Sequence, residues 1–280
     1  MENVEMTVVE YIWRNCYQIV CWDKEANKDN FPTTFGSGFF LQYKDKLVFV
    51  TADHVLHPDD YNQSDHVERS SKEYAYALVN NITNKKEPLY TVLTPISGFH
   101  NCDVYDFKKY LNGEEDIDVA SIPEFPDVSI SIVDSNRFEY PFLTHELKVD
   151  EKVLVNEGKN KLCIKEDAIV LPSKENRYIV LGVVKNKSTG ILWNRVNAFH
   201  FNLHYEGEEC GLYKFCYDRS IDSDNWEGLS GSPFFDETGR LVGMIIRVVH
   251  GDNIVWVVPM KEILNKIDFF IRVDNLQNQI

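Results

Sequence analysis

Gly38-Phe39-Phe40-Leu41-Gln42-Tyr43 is followed by a polar break at Lys44-Asp45-Lys46, and then Leu47-Val48-Phe49-Val50-Thr51 runs into Ala52-Asp53-His54. Aromatic and β-branched residues fill both arms and the break is short, so the segment reads as a β-hairpin whose second arm delivers a histidine at a strand end. The same texture repeats outward. Tyr74 to Val79, Val119 to Ile122 and Val128 to Ile132 are further short strands, and Pro123, Pro126 and Pro141 punctuate the chain up to about residue 145. A second set comprises Lys152 to Val155, Ala168 to Leu171, Tyr178 to Val184, Ala198 to Tyr205, Leu241 to Arg247 and Ile254 to Val258. Only Pro259-Met260-Lys261-Glu262-Ile263-Leu264-Asn265-Lys266-Ile267 changes to helical spacing, with proline where a first turn tolerates it. The expectation is an all-β chain of two units, 1-145 and 146-280, joined near residues 141 to 150 and closed by a C-terminal α-helix.

Composition narrows the function. At 280 residues and 44% hydrophobic content, the chain can bury one large core or two modest ones. A formal net charge of -15, with no basic cluster interleaved with aromatics, opposes a phosphate backbone, so no nucleic-acid partner is expected. No apolar run is long enough to cross a bilayer, and Met1-Glu2-Asn3-Val4-Glu5 lacks the pattern of a secretory leader, so no membrane partner and a cytoplasmic location are expected. The six cysteines then read as reduced thiols used as small core residues.

Three local signatures carry chemistry. Gly228-Leu229-Ser230-Gly231-Ser232-Pro233 puts a hydroxyl in a glycine turn, where successive N–H groups can converge on one point. Thr51-Ala52-Asp53-His54 supplies an imidazole suited to general base work near neutrality. Asp118-Val119-Ala120-Ser121-Ile122 begins a short strand whose start can present a carboxylate. Asp116 competes with Asp118, and Asp127 in Asp-Val-Ser-Ile-Ser-Ile is a weaker rival.

Together these segments resemble the trypsin/chymotrypsin family of serine peptidases, whose T-A-x-H, D-[apolar]-A-x-[apolar] and G-x-S-G-[GS]-P motifs occur in this order. Gly36-Ser37-Gly38-Phe39, Gly239-Arg240-Leu241-Val242-Gly243 and the terminal helix extend the likeness over roughly residues 35 to 270, and it looks closest to disulfide-poor bacterial members. The resemblance implies two six-stranded antiparallel barrels with the site between them. It implies Ser230 as nucleophile, His54 as acid/base, Asp118 as the residue orienting it, and the Gly228 and Ser230 amides as an oxyanion hole. The implied activity is a serine endopeptidase acting on polypeptides, with no metal or organic cofactor. The alternative is an inactive peptide-binding module.

The departures matter too. Leu229 stands where trypsin-like zymogens carry an activation aspartate, so activity would be intrinsic, or gated by the segments 56 to 73 and 206 to 227 covering the cleft, or controlled by a regulatory protein partner. Asp224, six residues before Ser230, sits where a carboxylate would favour Lys or Arg, or else belongs with Asp222 and Glu227 to a solvated acidic loop, and Trp226, Ile245 and Arg247 complete the expected substrate pocket. Ile245 occupies the place of the pocket histidine found in glutamate-specific members. His200 and His204 invite a zinc reading, but on a strand they lie about four steps of ~3.3 Å apart, too far to share one ion.

Overall fold

The computed structural model describes residues 6–25, 32–57, 73–82, 90–101, 127–143, 146–149, 151–186, 194–222 and 225–277. Its first element is a helix, α1 (Val8–Asn15), that strand periodicity gave no reason to expect. Thr7 caps it, its hydroxyl accepting from the Glu10 amide at 3.2 Å, and Ile12 and Trp13 face inward.

The first sheet contains β1 (Tyr17–Asp23), β2 (Thr34–Tyr43), β3 (Lys46–Thr51), β4 (Tyr74–Ile82), β5 (Tyr90–Ile96), β6 (Phe99–Asn101) and β7 (Ser129–Val133), in the order β5-β4-β1-β2-β3-β7-β6. A ribbon of β8 (Leu147–Val149) and β9 (Lys152–Val155) follows, and β10 (Ile164–Lys165) returns to pair in parallel with β2. The expected hairpin is β2 and β3, with Tyr43 paired to Lys46 across a two-residue turn where Lys44 takes φ 53°. Phe39, Phe40 and Leu41 on one arm and Val48, Phe49 and Val50 on the other are fully buried, so this pair is the spine of the first core. His54 lies just past the strand end, in a single helical turn, α2 (Asp53–Leu56). A side chain at Gly36 would meet the Val55 methyl groups at 2.4 Å, so the glycine lets that turn sit directly on β2.

The second unit closes. Strands β11 (Tyr178–Asn186), β12 (Asn194–Glu209), β13 (Leu212–Cys216), β14 (Pro233–Asp236), β15 (Leu241–Val248) and β16 (Ile254–Pro259) form a barrel in the order β11-β12-β13-β16-β15-β14. The final helix, α3 (Met260–Gln277), follows Pro259 directly, and its Met260, Ile263, Ile267 and Phe270 join the core of the first sheet. The architecture is that of a chymotrypsin-like double barrel with a C-terminal helix. No helix among the described residues is long and apolar enough to cross a membrane.

Three expectations change. The first unit is a curled sheet, not a closed six-stranded barrel, because β5 and β6 at its two ends are not paired with each other among the described residues. Ala168 to Leu171 is not a strand: Glu166–Ala168 makes a 3-10 turn, Ile169 forms one bridge to Leu241, and Pro172 stops the ladder with Leu171 76% exposed. Much of 206 to 227 is built into β12 and β13 and is barrel wall, while 58–72 lies outside the described residues. Cys16 and Cys21 are buried as expected, but Cys210 is exposed at the β12–β13 turn, and Cys102 lies outside the described residues.

Candidate active site

β3 and β7 are antiparallel with Thr51 opposite Ser129. Continued two residues, that register sets Asp127 across from the start of α2. There its carboxylate spans two donors on one residue: Oδ1 accepts from the His54 backbone N–H at 2.9 Å, and Oδ2 meets the ring Nδ1. Gripping backbone and imidazole together fixes the ring's orientation and holds the proton on Nδ1, which leaves Nε2 as the acceptor. The pair is partly screened from solvent, with the His54 side chain 29% and Asp127 17% exposed.

Asp53 extends the arrangement. Although it neighbours His54 in sequence, it faces elsewhere, accepting from the Ser129 hydroxyl and pairing at 3.1 Å with His57 Nδ1, while His57 Nε2 lies 3.2 Å from the Tyr76 hydroxyl. The turn carrying His54 and the strand following Asp127 are thereby stitched together through buried polar groups.

The serine lies on a turn of the second barrel that leans on the first sheet. Its carbonyl accepts from Ser37 N–H at 2.8 Å, Ser37 Oγ donates to the Gly228 carbonyl at 2.8 Å, and Thr51 Oγ1 donates to the Ser37 carbonyl at 2.7 Å. Fully buried Ser37 thus clips the Ser230 turn to the strand end that leads to His54. Gly228 and Gly231 have φ of 102° and 88°, which only glycine adopts without strain. At Gly231 any side chain is also excluded by space, since a Cβ would stand 1.9 Å from the Ser37 carbonyl oxygen.

Within this turn the amides divide into two groups. Leu229 N–H donates to Trp226 O, Gly231 N–H to Ile245 O and Ser232 N–H to Leu229 O. The Gly228 and Ser230 amides make no such bond among the described residues. The serine hydroxyl itself contacts Ile246 O at 3.5 Å. Cys16 Sγ lies 3.8 Å from Ser232 Oγ, but burial pushes its thiol pKa up, so it is a packing group and no rival nucleophile.

Burial anchors the turn on its other side. Leu229 packs against Gly182 in the second-barrel core, an apolar plug at the position discussed for an activation aspartate. Trp226 is 4% exposed and stacks on His200, with ring centroids 3.8 Å apart. His200 Nε2 bonds the Asn225 carbonyl at 2.8 Å, and burial pushes its pKa down to about 4, so the ring is neutral and donates from Nε2.

The residues assigned from sequence separate as follows. Ser230 and Gly228 are both tied to Ser37, which accepts in turn from Thr51, three residues before His54. Asp118 and Asp116 lie outside the described residues, and among the described residues the carboxylate that contacts His54 is Asp127. Asp224 is also outside them. Trp226 and Ile245 are buried in the core of the second barrel, whereas Arg247 is exposed. His200 and His204 point to separate partners, the latter to Asp218 at 2.9 Å. Ser37 and Asp53 were given no role from sequence, although Ser37 stands in Gly36-Ser37-Gly38-Phe39 and Asp53 directly precedes His54.

No family model matches the chain, and no curated protein matches it. Among solved structures, a crystal structure of Deg5 is 12% identical, with a TM-score of 0.42 over 92% of this chain and 89% of that one. The apo MamO protease domain from Magnetospirillum magneticum is 10% identical, with a TM-score of 0.44 over 92% and 98%. A serine endoprotease from Yersinia pestis is 13% identical, with a TM-score of 0.41 over 96% and 68%.

Proposed function

We propose that the chain is a serine endopeptidase, with Ser230 as nucleophile, His54 as general acid and base, and Asp127 as the carboxylate that holds the imidazole. The observation that supports this reading is the His54–Asp127 pair, together with a serine turn tied through Ser37 to Thr51, three residues before His54. Ser230 Oγ attacks a peptide carbonyl while His54 Nε2 takes its proton. The developing oxyanion is met by the Gly228 and Ser230 amides. His54 then protonates the leaving amine, and water, deprotonated by the same ring, releases the acyl group from Ser230. Each step uses protein groups and water alone. To begin, the hydroxyl must rotate from Ile246 O toward the imidazole.

A second reading draws on that same contact. A hydroxyl turned to a carbonyl at 3.5 Å suits a double barrel that binds peptide without cutting it. Reaction of the folded protein with a fluorophosphonate separates the two. The peptidase reading expects a covalent adduct on Ser230 that Ser230→Ala loses, and folded wild-type protein that stays unlabelled contradicts it. Asp224 is the proposed determinant of a Lys or Arg preference, tested by profiling cleavage of a peptide library.

A further inference from the structure

Three consecutive residues beside the candidate site are each held by a different group. Asp127 is gripped by His54, and Ser129 Oγ donates to Asp53. Between them, the Val128 carbonyl accepts from Nζ of Lys266, a residue separated from it by 138 positions. Lys266 lies on α3, the helix that leaves the second barrel and crosses to the first sheet.

It is only 1% exposed. An ammonium group in such a place costs several kcal/mol unless it is well partnered, and fully buried lysines are correspondingly rare. Docking the helix does not call for that expense. Its apolar face is already in the first core through Ile263, Ile267 and Phe270. Asp268 accepts from Tyr43 Oη at 3.1 Å and pairs with Lys44 at 2.5 Å, and Phe270 stacks on His100 with centroids 4.5 Å apart. A leucine or methionine would fill the space at 266 without burying a charge. Among the described residues, what lysine adds is a charged donor that reaches the backbone immediately after the carboxylate.

We propose that Lys266 is a positioning residue for the candidate triad. By holding the Val128 carbonyl it fixes the backbone at Asp127, so that the carboxylate stays aligned on both His54 donors. This rests on the reading of Ser230, His54 and Asp127 as a hydrolytic site, and it links catalytic alignment to the docking of the C-terminal helix.

The test compares Lys266→Met, which keeps the volume and removes the donors, with Lys266→Arg, which keeps N–H donors. Two quantities are followed: the low-field proton NMR resonance of His54 Nδ1–H, and the rate of Ser230 phosphonylation by a fluorophosphonate. Lys266→Met is expected to slow phosphonylation by about 10–100-fold and to shift or erase the resonance, with Lys266→Arg recovering both in part. With a cleavable peptide, the fall is expected in kcat with KM within about twofold. Leu264→Ala, a neighbouring apolar truncation on the same helix, should lower the melting temperature and leave the resonance in place. If Lys266→Met does not fold, Lys266→Gln serves with the same expectations, since its amide is one atom short of the carbonyl. A folded Met or Gln variant with resonance and rate unchanged overturns the proposal, as does Leu264→Ala moving the resonance equally. If the wild-type protein takes no label, the peptidase reading fails, while the NMR comparison still decides whether Lys266 holds the Asp127–His54 pair.

Discussion

The two halves of the candidate site are built by different means. On the closed barrel, the Ser230 turn is shaped by sterics and main-chain contacts: two glycines at positive φ, the Ser230 and Gly228 carbonyls accepting from the Ser37 N–H and hydroxyl, and Leu229 and Trp226 sunk into the core behind it. On the curled first sheet, the His54 side depends on polar side chains reaching across elements, with Asp127, Asp53, Ser129 and Lys266 each bonding to a group far away in sequence. The first kind of construction is steric and tolerates almost no substitution. The second is graded, because each bond holds one part of the alignment.

That difference predicts an unequal response to mutation. Gly231→Ala should do the most damage, since the new methyl group meets the Ser37 carbonyl and the backbone is strained at φ 88°. A loss of at least ~3 kcal/mol is expected by chemical denaturation, and a variant as stable as wild type would break the steric account. Next comes the aromatic anchor behind the turn. His200 ordinarily titrates near 6.5 and is pushed down to about 4 by burial, so the unfolded chain takes up a proton at higher pH than the folded one. Stability from this group is therefore complete above about pH 6.5 and is lost as pH falls toward 4, by up to ~3 kcal/mol. His200→Phe should flatten that part of the stability–pH curve; an unchanged slope would remove His200 from the account. Smallest is the polar side. Ser129→Ala removes one donor to buried Asp53 and should cost about 1–2 kcal/mol, measured by denaturation, with the turn around Ser230 unaltered. A cost as large as that of Gly231→Ala would erase the distinction between the two halves.

The same distinction explains what could be read from sequence. Gly228 to Pro233 carries its own geometry in its glycines, and the β2–β3 hairpin declares itself by alternating with a polar turn, so Ser230 and His54 were legible. Asp127 was visible as a rival to Asp118, which lies outside the described residues, and nothing local reveals the β3–β7 register that sets residue 127 beside His54. Lys266 reads as one polar position on an amphipathic helix, and only tertiary packing turns it inward. That the two end strands of the first sheet do not pair with each other among the described residues was hidden for the same reason: closure depends on which strands meet, and that information is spread over the chain. Strand β14 was lost inside the serine motif's continuation, Pro233–Asp236, where buried residues on both faces remove any alternation. Helix α1 is a different case, since Thr7 followed three residues later by Glu10 is a helix-start pattern that strand-like composition around it obscured.

The assignment of Asp127 to the imidazole is tested most directly by the rate at which a fluorophosphonate modifies Ser230 in Asp127→Asn and, separately, in Asp118→Asn. The account predicts that Asp127→Asn slows modification by about 10³–10⁴-fold, because the amide favours the wrong tautomer of His54, while Asp118→Asn stays within a few-fold of wild type. The reverse pattern would contradict it.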